Sequence, residues 1–90
     1  MKSIISQENK CYICGRTTDL QLHHCLHGSA NRKLADEDGL TVPLCVKCHT
    51  DLHDHGDYDK YLQQRAMWKW CSYYGKTPDE FRQRYGKVIV

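Results

Sequence analysis

The chain has 90 residues, 40% of them hydrophobic and 27% charged, with a formal net charge of +2, the balance of one small globular domain. No apolar run approaches the roughly 20 residues of a membrane helix, and Met1 to Ser6 lack the apolar stretch of a signal peptide, so the expected compartment is the cytoplasm. Six Cys and six His crowd this short sequence, and all six His and five of the Cys lie between Cys11 and His55.

In chain order, residues 1–10 are polar and expected to be extended. Cys11-Tyr12-Ile13-Cys14-Gly15 follows, a CxxC knuckle with Gly behind it. Leu20 and Leu22 then alternate with polar neighbours up to His23 and His24, the period of a half-buried strand. Residues 27–39, with Gly, Asn and a mixed-charge run, read as a loop. A second strand over 40–44 enters Cys45-Val46-Lys47-Cys48, a second knuckle thirty residues after the first. Pro43 demands that this strand be an edge or carry a bulge.

A helix from Lys47 carries His49 and His53 at i and i+4 and stops at Gly56. Asp57 is the expected cap of a longer helix over 58–74, with Tyr58, Tyr61, Leu62, Ala66, Trp70 and Tyr73 as its apolar face and Gly75 as its C′ residue. Within it, Met67-Trp68-Lys69-Trp70 is expected in the core. Thr77-Pro78-Asp79-Glu80 reads as a capping box opening a last helix through Phe81 and Tyr85 to Gly86, before a tail over 87–90. The expected fold is α+β, a small zinc domain: a polar segment over 1–10, a zinc-stabilised core over 11–56, and two C-terminal helices over 57–90 extending the same domain.

With no export signal, the thiols are expected to stay reduced. Two CxxC turns supply the four tetrahedral ligands of a structural zinc, with Zn–S near ~2.3 Å. Cys11, Cys14, Cys45 and Cys48 are therefore the expected Zn²⁺ set, with a mixed Cys/His site as the alternative. Cys25 and Cys71 have no partner at ligand spacing and are expected as small buried apolar residues. The histidines then fall into two pairs. Adjacent His23 and His24 diverge on a strand, whereas His49 and His53 share a helix face. Three of these imidazoles can converge on a second ion while the fourth stands beside it. That division suits phosphodiester hydrolysis, in which an ion stabilises charge on the phosphate and a neutral imidazole takes a proton from water. His27 and His55 are expected in ordinary surface or core roles.

The combination Cys11-x-x-Cys14, His23-His24, Leu44-Cys45-x-x-Cys48-His49-x-x-x-His53 resembles the HNH, or His-Me finger, endonucleases, most closely the small zinc-stabilised versions of bacteriophages and prophages. The likeness covers residues 11–55. It implies a treble-clef zinc domain with a ββα-metal motif and a hydrolase acting on DNA. It also implies His24 as general base and His23, His49 and His53 as ligands of one divalent catalytic ion (Mg²⁺, Mn²⁺, Ni²⁺ or Zn²⁺). Products with 5′-phosphate and 3′-hydroxyl ends follow from the same resemblance. Where the family carries a middle Asn, this chain has Asp38-Gly39-Leu40, which leaves the bracing role to Asp38 or to a loop carbonyl.

Residues 1–56 carry six Lys/Arg against seven Asp/Glu, and residues 57–90 seven against four. Phosphate neutralisation dominates nucleic-acid affinity, so this modest positive balance predicts DNA binding with little sequence specificity. Arg32 and Lys33, close behind the His pair, are the expected phosphate contacts. Arg16, Lys47, Arg82, Arg84 and Lys87 are read as solvated surface. A homodimer is compatible with so small a nuclease. The competing expectation is a non-catalytic zinc-binding module for nucleic acid or protein.

Overall fold

A computed structural model describes residues 3–88; Met1 and Lys2, and Ile89 and Val90 of the expected tail, lie outside it. The architecture is small α+β, a two-stranded sheet with four helices. The elements are β1 (Leu20–His24), α1 (Ser29–Asp38), β2 (Thr41–Cys45), α2 (Val46–His55), α3 (Asp59–Tyr74) and α4 (Pro78–Tyr85). β1 and β2 pair antiparallel, with Leu22 opposite Pro43 and His23 opposite Val42. Each strand has one free edge, which accommodates the missing amide of Pro43. The Pro43 carbonyl accepts from the Tyr12 amide at 2.8 Å, so the first knuckle closes against the hairpin.

Several expectations are corrected. Residues 27–39 are not a loop but contain the ten-residue helix α1, bounded by Gly28 and by Gly39 in the left-handed conformation at φ 78°. Its inward positions Asn31, Leu34, Ala35 and Asp38 follow helical spacing, but two of the four are polar, so apolar periodicity did not reveal them. Asn31 donates to the Tyr85 carbonyl at 3.2 Å. Buried Asp38 accepts from Trp70 Nε1 at 2.9 Å, Tyr85 Oη at 2.6 Å and Arg84 Nε at 2.6 Å. A carboxylate this enclosed is stable only with such partners, and here they tie α1 to α3 and α4. Arg84 is accordingly part of that tie and not free surface.

The alternation of β1 is also inverted: Leu22 is 58% exposed, whereas His23 is 2% exposed. Strand parity puts Gln21 and His23 on one face, and that face turns toward α2. On α3, Leu62, Ala66 and Trp70 are buried as expected, together with Met67 and Cys71, but Tyr58, Tyr61, Trp68 and Tyr73 face solvent. Asp57 does not cap α3; its N-cap is Tyr58, in the left-handed region at φ 64° with no side-chain cap bond. The last correction concerns the start of the polar segment, where residues 3–5 are anchored and not merely extended. The Ile4 amide donates to the Gly39 carbonyl at 2.9 Å, Ser3 Oγ donates to the Thr41 carbonyl, and Ile5 is buried.

The expected C-terminal elements are present. Gly75 ends α3, and the Thr77–Glu80 capping box with Pro78 opens α4. Phe81 and Tyr85 stack at 4.6 Å between centroids, and Phe81 meets Trp70 edge-on at 5.5 Å. The core gathers these rings with Leu26, Leu40, Val42, Leu44, Leu62 and Met67. Cys25 and Cys71 are both buried in it. Burial pushes the Cys25 thiol up to about 12, with the Asp59 carboxylate adding to the shift, so this sulfur stays protonated and inert. Among the described residues, no helix is long and apolar enough to cross a membrane.

Candidate metal centres

The hairpin and the helix that follows it position two ligand clusters. At the first, the Gly15 amide donates to the Cys11 carbonyl at 2.9 Å and the Cys11 amide to the Arg16 carbonyl at 2.7 Å, closing a tight turn. Gly15 takes φ 81° there, a backbone angle that glycine adopts freely. The turn aims Cys11 and Cys14 at the end of β2, where Cys45 caps α2 and accepts from the Cys48 amide at 3.4 Å.

One sulfur from each of Cys11, Cys14, Cys45 and Cys48 lies within 4.8 Å of the others, and Cys14 Sγ is 3.6 Å from Cys45 Sγ. Tetrahedral zinc with Zn–S of ~2.3 Å needs S···S near about 3.8 Å, so the four-cysteine cluster could hold a metal such as zinc. Electrostatics prepare the sulfurs unequally. Burial opposes ionisation of Cys11, yet the amides of Cys14, Cys45 and Ile13 outweigh it and bring that thiol down to about 6. Burial and the neighbouring sulfurs push Cys48 up. A cation among them removes that conflict, because thiolates, not thiols, are the ligands.

The second cluster lies where β1 meets the outer face of α2. One ring nitrogen from each of His23, His49 and His53 falls within 4.8 Å of the others. His49 and His53 are one helical turn apart, with their Nε2 atoms at 3.0 Å. His49 Nδ1 donates to Gln21 Oε1 at 2.7 Å, which leaves its Nε2 with a lone pair. The short Nε2–Nε2 contact therefore demands a proton or a cation between the two rings. His23 supplies the third nitrogen. Its Nε2 is buried with no hydrogen-bond partner, and such an orphan is costly unless an ion or water meets it. Burial, then the nearby His49, His27 and His53 rings, hold the His23 imidazole down to about 4. It is thus neutral and a ligand in waiting. Ligand nitrogens about 2.0–2.1 Å from one ion sit roughly 3 Å apart, so the set fits a divalent cation.

His24 diverges from His23 and does not join the trio. Its Nε2 lies 3.5 Å from Asp36 Oδ1 on α1, yet it lines the same recess of about 260 Å³ as the three ligands, together with Leu22, His27 and Arg32. Arg32 and Lys33 lie on one exposed turn of α1, and both border a hollow shared with His24, Ser29 and Asp36. His55 is exposed at the end of α2. Asp38, the expected stand-in for the middle Asn, is corrected: it is committed to Trp70, Arg84 and Tyr85. Lys47 is paired with Asp51 at 2.9 Å and Arg82 with Asp79 at 3.5 Å, both on exposed helix surface.

Four neighbours were not foreseen. Gln21 fixes the His49 tautomer, and strand parity with His23 was its available signal. His27 bonds through Nε2 to Asp59 Oδ1 at 2.6 Å, and its ring stands 6.2 Å from that of His23. Asp36 beside His24 was hidden by reading α1 as a loop. Asp59 comes from a distant helix, and nothing in the local sequence links it to His27.

The architecture is thus that of a small α+β protein with one sulfur and one imidazole cluster, each of metal-ligand geometry. Residues 4–70 match the family described as protein of unknown function, DUF968, and the chain belongs to that family. The match takes in both clusters and stops before α4. No curated protein and no solved structure matches the chain.

Proposed function

We propose that this protein is a metal-dependent endonuclease of the HNH type, hydrolysing phosphodiester bonds of DNA in the cytoplasm with little sequence specificity. In this reading the Cys11–Cys14–Cys45–Cys48 cluster is the structural zinc of a treble clef, and β1, β2 and α2 form a ββα-metal motif. The observation that carries it is the imidazole cluster: three convergent rings, one with an orphaned buried nitrogen, open into a recess that His24 and Arg32 also line.

A divalent ion held by His23, His49 and His53 (Mg²⁺, Mn²⁺, Ni²⁺ or Zn²⁺) supplies charge stabilisation for the scissile phosphate and the leaving oxygen. His24 takes a proton from water as the water oxygen attacks phosphorus. The bond from phosphorus to the 3′-oxygen breaks, that oxygen takes a proton from solvent, and 5′-phosphate and 3′-hydroxyl ends result. Asp36 Oδ1, 3.5 Å from His24 Nε2, holds that ring in place. Arg32 and Lys33 hold the phosphate backbone, and Gln21 keeps the lone pair of His49 Nε2 directed at the cluster.

The test is nicking of supercoiled plasmid with Mg²⁺, Mn²⁺, Ni²⁺ or Zn²⁺ by the wild type and by His24→Ala. Removing a general base costs about 10²–10⁴-fold in rate, so wild type nicks and the variant barely does. Equal nicking by both removes His24 from the mechanism. A second reading, a zinc module that binds nucleic acid or protein without cutting, is favoured by the commitment of Asp38 to the C-terminal helices. No nicking by the wild type with any of the four ions would select it.

A further inference from the structure

The exposed side of α3 carries a pattern that the proposed chemistry leaves unused. Tyr61, Arg65, Trp68 and Lys69 fall within one arc of the helix at 100° per residue, with Tyr58 at its start. Tyr58 is 58% exposed, Tyr61 48% and Trp68 56%. Large apolar rings this open on one face mark a contact surface. The only acidic residue of α3, Asp59, lies off this arc and is occupied by His27 and by Gln63 Nε2 at 3.0 Å. Aromatic rings interleaved with cations and free of acids suit a polyanion that has flat rings of its own.

A second feature extends the arc. The first cysteine knuckle brings Tyr12 and Ile13 against the start of α3, and with Tyr58 and Tyr61 they line a cleft of about 230 Å³. The Arg65 guanidinium lies beside Tyr12, which favours its charged form, so the knuckle ring and the helix cation stand side by side. The cleft is walled by three phenol rings, and the helix beyond it presents Trp68.

We propose that Tyr12, Tyr58, Tyr61 and Trp68 form a stacking platform for the unpaired bases of a single-stranded nucleic acid, with Arg65 and Lys69 meeting its phosphates. Every base has a π-face, so such a platform is tolerant of sequence. The inference deepens the nuclease reading and rests on it for its meaning, since it names single-stranded or frayed DNA as the form delivered to the histidine recess. Duplex DNA hides its base faces and meets only the cations.

The test measures binding of a fluorescently labelled 20-nucleotide oligothymidylate and of a duplex of equal length, with no divalent ion added. Trp68 emission, read in a Trp70→Phe background because the chain carries both tryptophans, serves as a second readout. The single strand is expected to bind more tightly than the duplex and to quench Trp68. Tyr58→Leu/Tyr61→Leu keeps apolar bulk and loses the ring faces, and is expected to weaken single-strand binding on the order of tenfold or more. Tyr58→Phe/Tyr61→Phe is expected to bind like the wild type. Tyr58 and Tyr61 are exposed, and an unchanged zinc content and circular dichroism spectrum confirm that each variant is folded. Equal binding by the Leu and Phe pairs overturns the proposal, as does displacement of the strand by inorganic polyphosphate with Trp68 emission unchanged throughout. A wild-type dimer that the Leu pair alone dissociates, with strand binding unaffected, also overturns it and assigns the face to a second copy of the chain. Failure of the nuclease reading is separate: Trp68 quenching without plasmid nicking leaves the platform standing and removes the cutting.

Discussion

The sulfur and imidazole clusters are built from the same hairpin and the same helix, and they differ in what surrounds them. The sulfurs are gathered by two backbone turns, with Cys11 and Cys45 each 1% exposed and main-chain amides aimed at them. Four protein ligands complete a tetrahedron and leave no place for substrate, as in structural zinc sites. The imidazoles come from side chains on a strand and a helix face, number three, and open into a recess bordered by His24 and Arg32. Three protein ligands would leave coordination positions open on an ion held there, the condition that the proposed nuclease reading needs. Each cluster has buried and exposed members, so the comparison teaches that ligand count and the open recess, not burial, distinguish the imidazole cluster from the sulfur one.

The sharpest way to break this contrast is to remove one ligand from each cluster. Cys45→Ser takes away a sulfur of the cluster that could hold zinc, and a structural zinc supplies folding free energy on the order of 10 kcal/mol. More than a small core can spare, that loss is expected to abolish the cooperative melt in circular dichroism. His23→Ala/His53→Ala is expected instead to keep the melt and one tightly held zinc per chain by atomic emission, while plasmid nicking is abolished. A double His variant that loses all metal, or unfolds, would mean that the two clusters are one structural unit.

A smaller effect comes from pH. His23 is held down to about 4 when folded, against about 6.5 in the unfolded chain. As pH falls through about 6.5 the unfolded state takes up a proton that the folded state refuses until about 4. The stabilisation is therefore complete above pH ~6.5 and is lost between pH 6.5 and 4, by up to about 3 kcal/mol. His49, lowered by burial and by His53, shifts in the same direction. Urea unfolding at pH 7.5 and 5, without added divalent ion, should show this decline in the wild type and less of it in His23→Gln. An equal decline in both would remove His23 from the pH dependence and leave it to His49 and the other titrating groups.

The mildest change is Gln21→Ala, which frees the His49 ring without removing a ligand. Such partners affect metal affinity by about 10–100-fold. Titration of the zinc-loaded protein with Ni²⁺ or Mn²⁺ should show weakening near the lower figure, with the structural zinc retained. Unchanged affinity would make the Gln21 contact incidental.

Much of this was legible locally. The CxxC knuckles, the i, i+4 histidines, Gly56, Gly75 and the Thr77 capping box are short-range signals, and each is where its spacing puts it. α1 escaped because half of its inward face is polar: Asn31 and Asp38 point inward only because Tyr85, Trp70 and Arg84 wait there, as many as fifty-four residues away. The inverted alternation of β1 has the same origin. Taken alone, Leu22 should be the buried residue, but the face that β1 turns toward α2 is the one carrying Gln21 and His23.

The sequence by itself determined which atoms could bind metal and how they group, because ligand spacing on a turn or a helix is a local property of the backbone. Only the tertiary structure decided that His23 is buried with its Nε2 unpaired, that His24 stands apart beside Asp36, and that Gln21 and His27 with Asp59 border the cluster. Those relations depend on which faces of separate elements meet, and burial, orphaned donors and shifted protonation arise only when distant segments exclude water together.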